Sequence, residues 1–307
     1  MSRVDPQLRL SLALLATLAA VNLVANPARF APEQLLTSLG LAAPVILVAM
    51  AATPSILSGS GGIDVSIGPM VGLLNVVIVR YGVGVLDAPP WLAVLLCVAS
   101  GTALGLANGL LVVLARLQPI VATLSSYLVF AGLSVLIMPE PGGSVPRWMA
   151  ALAKEFSWLP LAGVALAWSA FRWTPSHRDL LAIGGSDRAA YTAGVPVDVI
   201  RCAAYAMGGF IAGIAALAMT ALIGSGDPNI GAPLTLKAIA AAALGGVSLA
   251  GGRGGLMNAG IGGLIVFLID LTLTGVKASV FALQVALGVL LLGAVMSNAF
   301  LAQRRSA

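Results

Sequence analysis

Few side chains in this 307-residue chain could do chemistry, and the ones that stand out sit where backbone or membrane would make them costly. One group lies in Gly61-Gly62-Ile63-Asp64-Val65-Ser66-Ile67-Gly68. Glycines let a backbone turn and approach a neighbour closely. Asp64 and Ser66 could then satisfy backbone donors freed where a helix breaks, as N-caps do. Asp64 reads either as an interfacial cap or as a functional charge. Asp270 stands in the otherwise apolar run 265–273. An Asp at mid-membrane costs about 2.5–3.5 kcal/mol on insertion scales, so Asp270 should face an interior, a partner or a watery path. Asn75, Asn108, Asn258 and Gln284 are further polar groups within apolar stretches, each reading first as an interhelical hydrogen bond. Catalysis would want clustered His, Cys or carboxylate groups. His177 is the only histidine, while Cys97 and Cys202 read as small packing residues, so no catalytic or metal site is expected.

The elements that hold these residues follow from composition. The chain is 59% hydrophobic and 9% charged, against about 25% charged in soluble domains. Stretches free of Asp, Glu, Lys and Arg cover 10–28, 34–63, 65–79, 88–115, 117–139, 156–171, 202–226, 238–252, 254–269 and 278–303. A spanning helix needs roughly 20 apolar residues, and the pattern predicts an all-α polytopic membrane protein of about ten transmembrane helices. Residues 1–25 resemble a signal peptide in Arg3, Arg9 and the apolar run after them, but a retained first helix is preferred. Residues 1–307 read as a single transmembrane domain, with a turn-rich outer loop at 139–157 and a polar cytoplasmic loop at about 172–201. With the N-terminus inside, ten Lys and Arg fall on the inner side and six, Lys237 among them, on the outer side. Both termini are then cytoplasmic. The net charge of +5 needs no nucleic-acid partner.

The chain also carries an internal repeat. Gly59-Ser60-Gly61 precedes Asp64, Ile67, Gly68 and Pro69, and Gly224-Ser225-Gly226 precedes Asp227, Ile230, Gly231 and Pro233. Five expected spans separate the copies, an odd number, so they face opposite sides, as inverted-topology repeats do.

These residues carry a family likeness. Gly-Gly-Ile-Asp-Val-Ser-Ile-Gly at 61–68 resembles the signature of the permeases of ribose, xylose and galactose ABC importers, whose fold the branched-chain amino acid permeases share. Further collinear stretches are similar to that family. They are Asn26-Pro27-Ala28-Arg29-Phe30 with Glu33-Gln34-Leu35, and Asn108-Gly109-Leu110-Leu111 with Gln118-Pro119-Ile120-Val121-Ala122-Thr123-Leu124. They continue with Ala182-Ile183-Gly184-Gly185 through Ala189-Ala190 and Gly194-Val195, and with the run from Gly245 to Gly254. Asp187-Arg188 departs from the family's usual Asn-Glu, and Asp270 from its usual Asn.

The resemblance implies a permease that translocates a small hydrophilic solute, foremost a monosaccharide, across the bacterial inner membrane. A nucleoside or a branched-chain amino acid comes next. It implies a second permease copy, cytoplasmic ABC ATPase subunits, and a periplasmic or surface-anchored binding protein as partners. Gly184, Gly185, Asp187, Arg188, Ala189, Ala190 and Gly194 would form the helix received by the ATPase. Gly61, Gly62, Asp64, Ser66, Gly226, Asp227 and Asp270 would form the translocation path or its helix breaks. No lysine follows a glycine, so the chain lacks a P-loop and is not expected to be an enzyme. It should bind no cofactor itself, with ATP and Mg used by the partner. The rival class, an ion-coupled secondary transporter, would want paired ionisable groups near the midplane, where Asp270 stands nearly alone.

Overall fold

The computed structural model describes residues 6–279 continuously and scattered positions between 281 and 296. Among these the regular elements are helices, and the only strand-like pairing is one bridge between Gly142 and Gly226. In order they are α1 (Pro6–Ala25), α2 (Leu35–Leu57), α3 (Ile67–Val77), α4 (Pro90–Val113), α5 (Pro119–Ile137) and α6 (Arg147–Ala150). There follow α7 (Trp158–Arg172), α8 (Pro175–Gly185), α9 (Asp187–Thr192), α10 (Val197–Ile223), α11 (Gly231–Leu244) and α12 (Leu256–Gly275). A π turn, Ile78–Val83, continues α3.

Among the described residues, six helices are long and apolar enough to cross a membrane: α1, α2 with its leading turn, α4, α5, α10 and α12. The α6 segment and α7 make a seventh candidate, bent by 76°. Two apolar helices are shorter, Ile67–Val83 and Gly231–Leu244. The protein is therefore all-α and polytopic. The tenth expected span, 278–303, falls largely outside the described residues.

One expected boundary is displaced. The charge-free interval 238–252 marks the eighth span too late, because α11 begins at Gly231 and takes in Lys237. Residues after Leu244 are uncharged yet not helical. Gly246, Gly251, Gly252 and Gly254 all hold positive φ there and unwind the chain. Absence of charge marks apolarity, and glycine decides whether the apolar stretch is helix.

Local chemistry sets most helix ends. Pro90, Pro119 and Pro175 open α4, α5 and α8 at the position where the missing N–H costs nothing. Gly224 closes α10 in the left-handed region. The most buried spans, α2 and α10, form the centre. Gly101, Gly105 and Gly109 of α4 face Gly209, Gly213 and Cys202 of α10. A Cβ on Gly105 would lie 2.3 Å from the Tyr205 carbonyl oxygen. Small residues one turn apart on both helices let the backbones touch, the usual means of association where lipid is as apolar as leucine. The outward faces of α4 and α5 expose Leu95, Leu128 and Leu136, an apolar surface suited to lipid.

Candidate functional site

The two copies of the repeat become two helix breaks, and the short helices that follow them cross at matching glycines. Gly68, near the start of α3, lies so close to Gly231, at the start of α11, that a Cβ on it would sit 2.3 Å from the Gly231 carbonyl oxygen. The reverse Cβ would sit 2.7 Å from the Gly68 carbonyl oxygen. Each helix then bonds the other's break. The Thr235 hydroxyl of α11 donates to the Val65 carbonyl (3.1 Å). Asn75 of α3 donates to Thr220 Oγ1 (2.9 Å) and to the Ser225 carbonyl (3.1 Å), and its Oδ1 accepts from the Asp227 N–H (2.8 Å). Backbone groups that a broken helix frees in a membrane must be satisfied internally, and the two breaks satisfy one another.

Asp64 anchors the first break. Its Oδ1 accepts from both the N–H and the hydroxyl of Ser66 (2.9 and 2.7 Å). Asn108 of α4 donates to Ser66 Oγ (2.8 Å) and to Asp64 Oδ2 (3.5 Å), and Ser126 of α5 donates to Asn108 Oδ1 (2.5 Å). Thr123 of α5 accepts from the Val65 N–H (3.2 Å). All five side chains are buried. Among the described residues no cation pairs with Asp64. Gly62 is enclosed, since a Cβ there would meet the Ser55 carbonyl oxygen at 2.3 Å, whereas Gly61 is open but holds φ +72°. At the second break Gly226 exchanges two backbone hydrogen bonds with Gly142 of the 139–157 loop (2.8 and 2.9 Å). Asp227 Oδ1 accepts from the Asn229 N–H (2.8 Å).

The polar loop folds as α8, α9 and the start of α10. Ser186 caps α9 by accepting from the Ala189 N–H (3.3 Å). Gly194 follows the last turn with φ +84°, a conformation that costs glycine little. Arg188, Ala189, Tyr191 and Gly194 point outward, while Ala190 is buried against the chain itself. Asp187, Arg188, Tyr191, Val195, Pro196 and Asp198 help to line an open cavity of 660 Å³. Gly184 is enclosed and its neighbour Gly185 is open. A Cβ on Gly184 would lie 2.0 Å from the Leu57 carbonyl oxygen and 2.3 Å from the Gly252 nitrogen. His177 stands edge-on to Trp168 and Phe171, with centroids 5.6 and 5.7 Å away. Partial burial, and secondarily the Arg172 charge, hold its imidazole below the ordinary value.

Asp270 is not alone. Lys237 of α11 pairs with its Oδ2, both side chains being about a quarter exposed or less. Lys237 therefore lies inside a helix rather than at the outer surface where its charge first placed it. A helix carrying a lysine within its length escapes any search for uncharged runs, although the spacing of Lys237 from Leu234 and Ala241 fits one face. Arg201 escaped for a different reason: it sits at the head of α10, and its bonds to Asp187 and the first break are tertiary. Among the described residues no three His, Cys, Asp or Glu gather as a metal site. What the arrangement offers is two mutually braced helix breaks, joined on one side to a surface loop.

Comparison with known proteins finds transport permeases. Residues 34–299 match the family model described as branched-chain amino acid transport system / permease component. The ribose import permease protein RbsC of Haemophilus influenzae is 27% identical over 96% of this chain and 93% of its own length. The RbsC of Bacillus subtilis is 30% identical over 89% of this chain and 87% of its own. The autoinducer 2 import system permease protein LsrD of Escherichia coli K12 is 30% identical over 82% of this chain and 81% of its own. No solved structure matches the chain.

Proposed function

We propose that this chain, which belongs to the branched-chain amino acid transport system permease family, is the membrane-spanning subunit of an ATP-driven importer for a monosaccharide. The match across residues 34–299 carries the reading, and the ribose and autoinducer 2 permeases among its relatives favour a small hydrophilic solute. As a permease subunit the chain is not itself an enzyme. ATP hydrolysis then belongs to separate cytoplasmic ATPase subunits, which use ATP and Mg. A second permease copy completes the pore, and a binding protein delivers the solute. Both termini are cytoplasmic in this reading.

The geometry supports a division of labour. The exposed face of α9, with small Ala189 and Gly194 beside projecting Tyr191, presents a knob and a flat seat to an ATPase groove. The open cavity beside it gives that partner room. ATP binding would draw the ATPases together and pull on residues 182–196. The two permease copies would then rock, opening a central path to each side alternately. Gly61, Gly62, Asp64, Ser66, Gly226 and Asp227 hold the broken helices that such rocking would shift. Few solute ligands are needed in the path if the binding protein supplies most of the affinity.

The test is reconstitution in vesicles with an ABC ATPase and a solute-binding protein, using labelled ribose. Uptake should require ATP, and the chain alone with a proton or sodium gradient should give none. The Lys237–Asp270 pair favours a second reading, an ion-coupled carrier, because it places paired ionisable groups within the spans. Gradient-driven uptake without any ATPase would establish that reading and end the first.

A further inference from the structure

We infer that Arg201 and Asp187 clamp α9 to the first helix break, so that the two move as one body and ATP-driven motion enters the membrane at residues 58–66. The inference rests on the reading of residues 182–196 as the ATPase contact and gives that contact a route inward. Asp187 is the first residue of α9. Both of its carboxylate oxygens accept from Arg201 Nη2 at 2.8 Å. Its Oδ2 also accepts from the Ser60 hydroxyl at 2.7 Å. Arg201, in the second turn of α10, donates again to the Ser58 carbonyl at 3.4 Å, just past the end of α2. One carboxylate and one guanidinium thus join α9, α10 and the turn between α2 and α3.

The pair is shielded enough to matter. The Arg201 side chain is 12% exposed and that of Asp187 36%. A half-buried, multiply bonded ion pair holds its geometry better than a surface pair, which solvent and salt weaken. Asp198 lines the same two cavities as Arg201, but the Arg201 side chain bonds Asp187 and the Ser58 carbonyl.

Behind the pair lies a junction without side chains. Gly59 touches Gly184, Gly251 touches both, and the Gly252 N–H donates to the Leu57 carbonyl at 3.1 Å. Backbone against backbone leaves no rotamer to absorb a displacement, and close-packed interiors transmit strain. Push on α8 and α9, and residues 57–60 must follow. Among the described residues, no hydrogen bond of α9 reaches the second break. That break is reached through α10, which Gly224 closes, and through the Gly68–Gly231 crossing with its Asn75 and Thr235 bonds.

Arg201 and Asp187 are positioning residues on this account, and the test reads position directly. Spin labels go on Ile63→Cys and Thr192→Cys in a chain whose Cys97 and Cys202 are replaced by Ala, assembled with its ATPase in lipid. The label distance should be the same with and without ATP. In Asp187→Asn or Arg201→Gln it should split into a second population when ATP binds. Ser60→Ala, which removes one bond at an exposed residue, gives an intermediate case if the charge variants assemble poorly. Labelled ribose taken up per ATP should fall by about tenfold in either charge variant, and the double variant should be no worse than the single ones. A distance that shifts with ATP in the parent, or that stays single in both charge variants, overturns the clamp. A chain that forms no complex with an ATPase overturns the permease reading as well, and the two failures are distinguishable.

Discussion

Alanine at Gly184 and alanine at Gly185 should have opposite effects, although the residues are adjacent in α8. A Cβ on Gly184 would lie 2.0 Å from the Leu57 carbonyl oxygen, 2.3 Å from the Gly252 nitrogen and 2.7 Å from the Gly252 Cα. Ordinary contact begins at 3.4 Å, so the closest atom must withdraw by roughly 1.4 Å. All three atoms are backbone, which leaves no side chain to swing away. The Gly252-to-Leu57 hydrogen bond passes through the same gap and would stretch. Overpacking of this kind costs about 1–3 kcal/mol, and a weakened hydrogen bond adds about 1 kcal/mol. The better helix propensity of alanine returns about 1 kcal/mol, for a net loss of about 1–3 kcal/mol. At Gly185 nothing lies within 4 Å, and only the propensity gain remains. Thermal unfolding of the detergent-solubilised protein, followed by fluorescence-detected size exclusion, measures both. Gly184→Ala should lower Tm by about 2–10 °C, and Gly185→Ala should leave it unchanged or raise it slightly. Equal Tm values for the two variants would refute the argument that backbone contact makes Gly184 indispensable.

Other expectations follow from the same geometry. Asp64→Asn should reach the membrane nearly as well as wild type, because it keeps the oxygen that accepts from Ser66. Asp64→Leu should lose about 1–3 kcal/mol by orphaning buried donors, visible as reduced abundance in the membrane fraction. Gly62→Val should impair assembly more than Gly72→Val, since a Cβ meets backbone at 2.3 Å in the first case and at 3.3 Å in the second. Lys237→Leu leaves Asp270 unpaired between α11 and α12 and should destabilise by about 3–5 kcal/mol. The double variant with Asp270→Leu should recover most of that loss, and unfolding temperatures compare them. His177, held below its ordinary value, stays neutral in the folded protein at a pH where the unfolded chain already binds a proton. Stability is therefore full above about pH 6.5 and declines as pH falls through that value. His177→Gln should flatten the decline in a thermal-shift series.

Sequence reasoning reached the helices through their apolarity and the breaks through their glycines, and it stopped where function depends on meetings between distant segments. The repeat was legible because matching residues recur, and Gly68 and Gly231 do cross. Nothing in either segment says that Asn75 bonds the second break or that Thr235 bonds the first. Asp64 could be read as a cap from Ser66 two residues on, yet Asn108 and Ser126 complete its shell from other helices. Asp270 looked isolated because its partner sits 33 residues earlier, in a helix that the charge rule clipped. The family resemblance put Ala190 on the helix received by the ATPase. Burial settles that Arg188, Ala189 and Tyr191 face outward and Ala190 does not.

The mutual bracing of the breaks also sets a timetable for making the protein. Asn75 finds Thr220 only across 145 residues, and Gly59 meets Gly251 across a still longer stretch. At about 5–20 residues per second of synthesis, the ribosome needs roughly 7–30 s after Asn75 to deliver Thr220. For that interval α3 sits in or beside the bilayer with its asparagine unmatched and the Val65 carbonyl still awaiting Thr235. A nascent chain in that state should linger with the insertion machinery, shielded from lipid. A stop codon placed before residue 220 should then leave a product that membrane quality-control proteases clear, whereas one placed after α12 should not.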